Sequence, residues 1–418
     1  MEQTGVPVKS FRFRIFIWLT ILLCGSCRSS LPLMILTDAP EMVAYAELFN
    51  AADSGIKAYV TYSASPEAEL RQNPERYDLI FASSILDREL IESFHNLGSL
   101  VSRNKIAGSE LYPHLLESYR NQGRYPVIPA AFDLHIFMTK AVAKDRKQLT
   151  ISFEEIMESN KDFSVFRNGS YSKMAFSPMW STNLFYHYLE NKNCEISSWG
   201  KESLNINTDK MISLLSEFKN RYRSAFPLEN SRAEKVFREK YLYDHYANLL
   251  LSGRILYYDT EFSHWIKMQK TERDQFDFYY FCEDGKMTTE PNVVFFAIPK
   301  TSDQKRKAGK FIRWFFAKET QTALITESEK VWLNSFGIAG RLSSVIETNE
   351  SALCTLYPDL VFHLPNPELI YGPGPKPIGW EQLTGQIFDP WVEQNLHSET
   401  ISAYPAEAVQ LWFAEHRQ

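Results

Sequence analysis

The sequence predicts an α/β fold with enough chain for two lobes, and three observations carry this. The chain has 418 residues, well beyond the ~100–200 of an ordinary domain. Its first 85 residues, after the N-terminal segment, alternate strand-like and helix-like runs in the order β-α-β-α-β, which implies a parallel sheet covered by helices. Further on, the apolar run 292–299 (NVVFFAIP) is followed by amphipathic stretches over 307–319 and 321–327.

Taken in order, 33–37 (LMILT) reads as a buried strand because its apolar run is continuous. Asp38-Ala-Pro-Glu41 reads as a helix start, with Asp38 as N-cap and Pro40 near the first helical position. Val43, Ala46 and Phe49 then fall at helical spacing. Residues 56–62 alternate apolar and polar as a strand does, 67–71 suit a short helix, and 78–82 form a third strand running into Ser83-Ser84. In such sheets ligands collect at the carboxyl ends of strands, here Thr37-Asp38 and Ser83-Ser84. Residues 125–129 lead through Pro129 into a strand over 130–140. Helices are expected over 153–159, 181–189 and 211–221, and as one long element over 233–251 stopped by Gly253. A strand over 254–258 follows, and 365–380 is Pro/Gly-rich and irregular.

Composition narrows the function. Apolar residues make up 44% and charged residues 23%, with a net charge of −6, which excludes the basic footprint of a nucleic-acid binder. Glycine is scarce, 17 residues in all, and no Walker loop, GxSxG or GxGxxG-plus-helix signature occurs. The nine histidines show no HExxH and no close pair, so they read as scattered structural residues. No metal and no cofactor is expected, and no paired-carboxylate signature of a glycan-cleaving enzyme identifies itself.

The N-terminus resembles a bacterial lipoprotein signal. Lys9, Arg12 and Arg14 precede the uncharged run 15–24 (IFIWLTILLC), which suits a signal h-region and is short for a membrane span. Gly25-Ser26 before Cys27 is similar to a lipobox, although Cys24 stands where that motif usually has Leu. The resemblance implies a signal peptide over 1–26, lipidation of Cys27 and a tether over 27–32. Removing Lys9, Arg12, Arg14 and Glu2 takes the charge from −6 to −8. The rival reading of Cys24-Gly-Ser-Cys27 as a redox CxxC lacks a βαβ context. Cys194, Cys282 and Cys354 allow at most one disulfide.

The ordered segments MILTDAPEMVAYAELFN, YDLIFASS, YPVIPAAFDLHIFMTKAVAKD, ISFEEIME, GRILYYD and VVFFAIPKTSDQKRKAGKFIRWFFAKETQTALI resemble extracellular solute-binding proteins of ABC importers. The likeness is to the carbohydrate-binding group with maltodextrin-binder architecture, and it covers most of 33–345. Thr139-Lys140 departs from the family's Asn-Lys. The resemblance implies an α/β two-lobe periplasmic-binding-protein type II fold with a ligand cleft. It places 33–130 with 295–340 in lobe 1, and 131–294 with 341–418 in lobe 2. The chain would cross between lobes at 130–133, 293–298 and near 337–340. It further implies a monomeric, non-enzymatic binder of a small polar solute, a sugar above all. Such a binder is lipid-anchored in the cell envelope and partnered by a membrane permease.

Sugar sites pair aromatic faces with hydrogen-bonding side chains. The ligand-binding candidates are therefore Trp265 and Trp180, each otherwise core; Asp38, otherwise a helix cap; Ser83 and Ser84; Asp133, otherwise a hinge tie; and Asp259. Tyr257-Tyr258 is similar to the adjacent tyrosines of ferric-ion binders in this superfold. Neighbouring side chains on a strand point to opposite faces, however, which speaks against a shared ion. The alternative functions are an envelope interaction or sensor lipoprotein on the same fold and, behind it, a secreted glycan-acting enzyme.

Overall fold

The computed structural model describes residues 31–416 apart from 53–54, 84, 87, 142–147, 182, 195, 199–203, 331–334 and 378. The expected signal segment, the lipidation site Cys27 and the candidate Ser84 lie outside the described residues.

The elements that build the site are, in chain order, β1 (Leu33–Thr37), α1 (Met42–Ala51), β2 (Ala58–Tyr62), β3 (Leu79–Ala82), β4 (Val127–Phe132) and β5 (His135–Lys140). Then come β6 (Thr150–Ile151), α2 (Phe153–Phe163), α3 (Asn183–Asn191), α4 (Thr208–Ala225), β7 (Tyr258–Glu261) and β8 (Phe276–Phe281). β9 (Val294–Ala297), α5 (Lys305–Phe316), β10 (Leu342–Ser343) and α6 (Asp389–Leu396) complete the set. Two main sheets result, one of six strands ordered β10-β4-β9-β3-β1-β2 and one of four ordered β7-β5-β8-β6. β1 runs parallel to both β2 and β3, as the opening pattern requires. β9 returns antiparallel between β3 and β4.

Each sheet organises its own aromatic core. In the first lobe Phe296 of β9 lies 4.9 Å from Phe81 of β3 and 4.7 Å from Phe315 of α5. This is why α5 shows a sharp apolar face. In the second lobe Phe153 of α2 stacks on Phe218 of α4 at 4.0 Å. The start of α2 is set by a reciprocal capping box, in which Ser152 Oγ accepts from the Glu155 N–H at 3.2 Å and Glu155 accepts from the Ser152 N–H at 2.8 Å.

The chain passes between the sheets first at Asp133-Leu134, where β4 ends and β5 begins, and again after β8 on the way to β9. Four expectations shift. Residues 293–298 lie mostly inside β9 of the first sheet, so the second crossing precedes them. β10 pairs with β4, so Leu342 and Ser343 belong with the first sheet and not with the second lobe. The expected long helix breaks into Ser231–Tyr241 and Tyr246–Leu251. There Asp244 accepts from the His245 N–H at 2.8 Å and from Asn248 Nδ2 at 2.9 Å, a local turn that competes with helix continuation. The strand expected over 254–258 starts only at Tyr258, because the Leu256 and Tyr257 N–H groups both donate to the Ala175 carbonyl. Cys194, Cys282 and Cys354 are free thiols.

Gly337 sits at φ +59°, and a Cβ there would stand 2.1 Å from the carbonyl oxygen of Arg341. Gly337→Ala is expected to destabilise the fold by more than the ~1–3 kcal/mol of a strained backbone residue. Urea unfolding should report a lower midpoint at unchanged m-value.

Candidate functional site

Because β1 and β3 are adjacent and parallel, their carboxyl ends emerge side by side. Asp38 Oδ2 accepts from the Ser83 N–H at 2.9 Å and from Ser83 Oγ at 2.7 Å. Asp38 is therefore not the cap of α1. That helix begins later, after Glu41, with no side-chain cap, while Thr37 Oγ1 accepts from the Ala39 N–H at 3.0 Å. The cross-strand bond draws the Asp38 carboxylate away from the helix end.

Asp38 and Ser83 open onto a cavity of about 410 Å³ whose walls include Glu41, Tyr62 and Arg341 of the first lobe and Lys267 of the second. Ser83 also borders a second cavity of about 340 Å³, lined by Asn292 on the return crossing and by Lys376 and Trp380 from the C-terminal segment. Arg341 Nε lies 3.4 Å from Asn292 Oδ1, linking the walls of the two spaces. The polar side chains are pre-positioned: Glu41 accepts from Ser335 Oγ, and Arg341 donates to the Ala339 carbonyl at 3.0 Å.

Trp380 is held by the second lobe, with its ring 5.6 Å from Tyr186 of α3. Tyr186 in turn donates to Asp389 at 2.5 Å, and burial followed by the Asp389 charge pushes its phenol well above the ordinary tyrosine range. Gly379, at φ +73°, makes the turn into Trp380, and a Cβ there would stand 2.8 Å from the Trp412 ring. Lys376 pairs with Glu190 of α3 and donates to the Ile196 carbonyl at 2.6 Å. Burial raises the Glu190 carboxyl above its ordinary range, against the lowering effect of Lys376.

The remaining candidates lie elsewhere. Trp180 and Asp259 come together on a separate second-lobe cavity of about 450 Å³, beside Glu393 of α6. Trp180 also stacks on Phe237 at 5.7 Å. Trp265 is 3% exposed and packs 4.7 Å from Phe278 in the second-lobe core, lining none of these cavities. Asp133, 1% exposed, accepts from the Leu134 N–H at 2.9 Å and the Ser263 N–H at 3.1 Å, tying the first crossing to the second lobe. Burial, then the charges of Glu261 and Glu290, raise its carboxyl to about 7. Tyr257 is buried and Tyr258 half-buried, with Tyr258 stacked on Tyr246 at 4.6 Å.

Trp380, Lys376, Lys267 and Arg341 were not legible as site residues. The Pro/Gly-rich run before Trp380 was the available signal, since irregular segments on a rigid scaffold often carry binding groups.

Lys376→Ala is expected to destabilise the protein by about 3–5 kcal/mol near neutral pH, because it strands the buried Glu190 carboxylate. The folded Glu190 pKa, already raised, rises further in the variant. The ionised form therefore costs stability above that pKa, and protonation relieves the cost as pH falls. Urea unfolding at neutral and mildly acid pH should show the deficit shrinking toward acid.

No family model matches the chain, and no curated protein matches it in sequence. Solved structures do match its fold. The sugar-binding protein MalE from the phytopathogen Xanthomonas citri aligns over 93% of this chain and 100% of its own, at 12% identity and a TM-score of 0.63. The cyclic alpha-maltosyl-1,6-maltose binding protein from Arthrobacter globiformis covers 88% and 95%, at 13% identity and a TM-score of 0.59. The ABC substrate-binding protein Lmo0181 from Listeria monocytogenes, in complex with cycloalternan, covers 92% and 97%, at 12% identity and a TM-score of 0.54. These neighbours are binding proteins, and the chain shares their two-lobe α/β fold.

Proposed function

We propose that this protein is the lipid-anchored substrate-binding component of an ABC importer, closing its lobes over a small polar solute of the sugar or oligosaccharide class. The observation that carries the reading is the Asp38–Ser83 pair at the strand ends. It opens on an interlobe space that continues past Ser83 to the half-buried face of Trp380. Hydrogen-bonding groups on one wall and an aromatic ring on another are what a sugar's hydroxyls and C–H faces require. Sugar binding by the structural neighbours supports the same class.

In this reading lobe 1 comprises 33–130 with 295–343, and lobe 2 comprises 131–294 with the rest of the C-terminal segment. Trp180 and Asp259 form a second contact region on lobe 2. Lipid on Cys27 holds the receptor at the membrane face beside its permease, on the extracytoplasmic side, and more than one acyl chain is needed for stable anchoring.

A thermal-shift series over maltodextrins, mannooligosaccharides, polyols and amino acids should raise the melting temperature with one saccharide class. A ligand at ~100 times its Kd adds about 2.7 kcal/mol to the folded state. Trp380→Ala and Asp38→Asn should each weaken that ligand by roughly 10–100-fold, at about 1.4 kcal/mol per decade, while Trp265→Phe leaves Kd unchanged. A melt unmoved by every saccharide, together with hydrolysis of any of them, refutes the reading. Cys27→Ser should shift the protein from the membrane fraction to the soluble fraction on centrifugation.

A further inference from the structure

Three residues from distant parts of the chain meet beside the two crossings. His135 opens β5, His187 lies on α3, and Glu290 stands on the return path to β9. All three are buried, at 5%, 5% and 2% exposure. His135 Nδ1 lies 3.1 Å and His187 Nε2 lies 3.2 Å from the same oxygen, Glu290 Oε1. The three donor atoms all fall within 4.8 Å of one another.

We propose that His135, His187 and Glu290 form a binding site for one divalent transition-metal ion, zinc being the best fit. Two imidazoles and a carboxylate are a recognised zinc donor set that leaves a fourth position for water. Bonds of ~2.0–2.1 Å in a tetrahedral site set ligand-to-ligand edges of about 3.3–3.4 Å. Two edges of the cluster already lie within a few tenths of an ångström of that.

Charge accounting points the same way. The carboxylates of Asp133 and Glu290 are buried here and Glu261 is half-buried, whereas Lys376 pairs with Glu190. With neutral imidazoles the buried Glu290 carboxylate has no cation of its own, which burial does not tolerate without compensation. Among the described residues, His135 Nε2, His187 Nδ1 and, one turn on from His187, Asn191 Nδ2 are buried with no hydrogen-bond partner. The two imidazole nitrogens are those not directed at Glu290, so no far-side hydrogen bond fixes either ring's tautomer.

The metal would join β5, α3 and the return crossing at one point. The Glu290 N–H already donates to the Asp133 carbonyl at 3.0 Å, so a bound ion would stiffen the pivot between the lobes without touching the cleft. The inference is independent of what the cleft binds.

The test uses the whole protein, stripped with a chelator and then dialysed against zinc or cobalt(II). One equivalent should bind, cobalt should show the intense visible bands of a tetrahedral site, and zinc should raise the melting temperature. His187→Gln and Glu290→Gln should each weaken zinc by more than the roughly 10–100-fold typical of losing an outer partner. If either variant fails to fold, imidazole ¹⁵N shifts of the wild type decide: zinc should move His135 Nδ1 and His187 Nε2. The proposal is overturned by wild type that takes up no stoichiometric metal. It is equally overturned by metal binding that both variants retain, or by two imidazolium rings whose shifts zinc leaves unchanged, which would make the cluster a proton-holding pair.

Discussion

The backbone bond from the Glu290 N–H to the Asp133 carbonyl holds the two lobe crossings against each other, and the rest of the cleft depends on it. Beside it, Leu134 and Thr289 form an antiparallel bridge. The two passing strands therefore behave as one ribbon, with each sheet free to organise its own core at either end. Hinge motion in such folds is absorbed by a few element-terminal residues. The residues at these two crossings lie among carboxylates and imidazoles instead of the apolar packing found a few residues away.

That polarity has an energetic logic. Asp133 spends its carboxylate on the N–H groups of Leu134 and Ser263, donors that a bend between elements would otherwise leave unsatisfied. Lys376 meets Glu190 and two carbonyls, Ile196 and Pro373, so the C-terminal segment is fastened to α3 by charge while Trp380 is fastened by ring contacts. A wall of the interlobe space is thus fixed by a residue more than 180 positions from its anchor.

The fold was legible because its signals are local. The runs LMILT and LIFA and the apolar face of the helix around Phe311 and Phe315 each specify an element within a few residues. The parallel pairing of β1 with β3 then places Asp38 beside Ser83, so that this part of the candidate site could be read from topology. The rest could not. Trp265 and Trp380 are alike as letters, and only long-range packing makes one a core ring beside Phe278 and leaves the other at a cavity edge. The His135–His187–Glu290 cluster spans 155 positions of sequence. Scattered histidines show nothing in a linear reading that would join them.

Ser83 borders both cavities, and under the saccharide-binding proposal this sets a rule for molecular length. In that proposal a single small ring would satisfy its hydroxyls in one compartment and gain nothing from the other. A longer molecule that bends past the Ser83 hydroxyl enters the second space as an already tethered species, so its second contact forms at high effective concentration. Selection among homologous chains of different length would then follow from the corner at one serine, with no residue dedicated to measuring them.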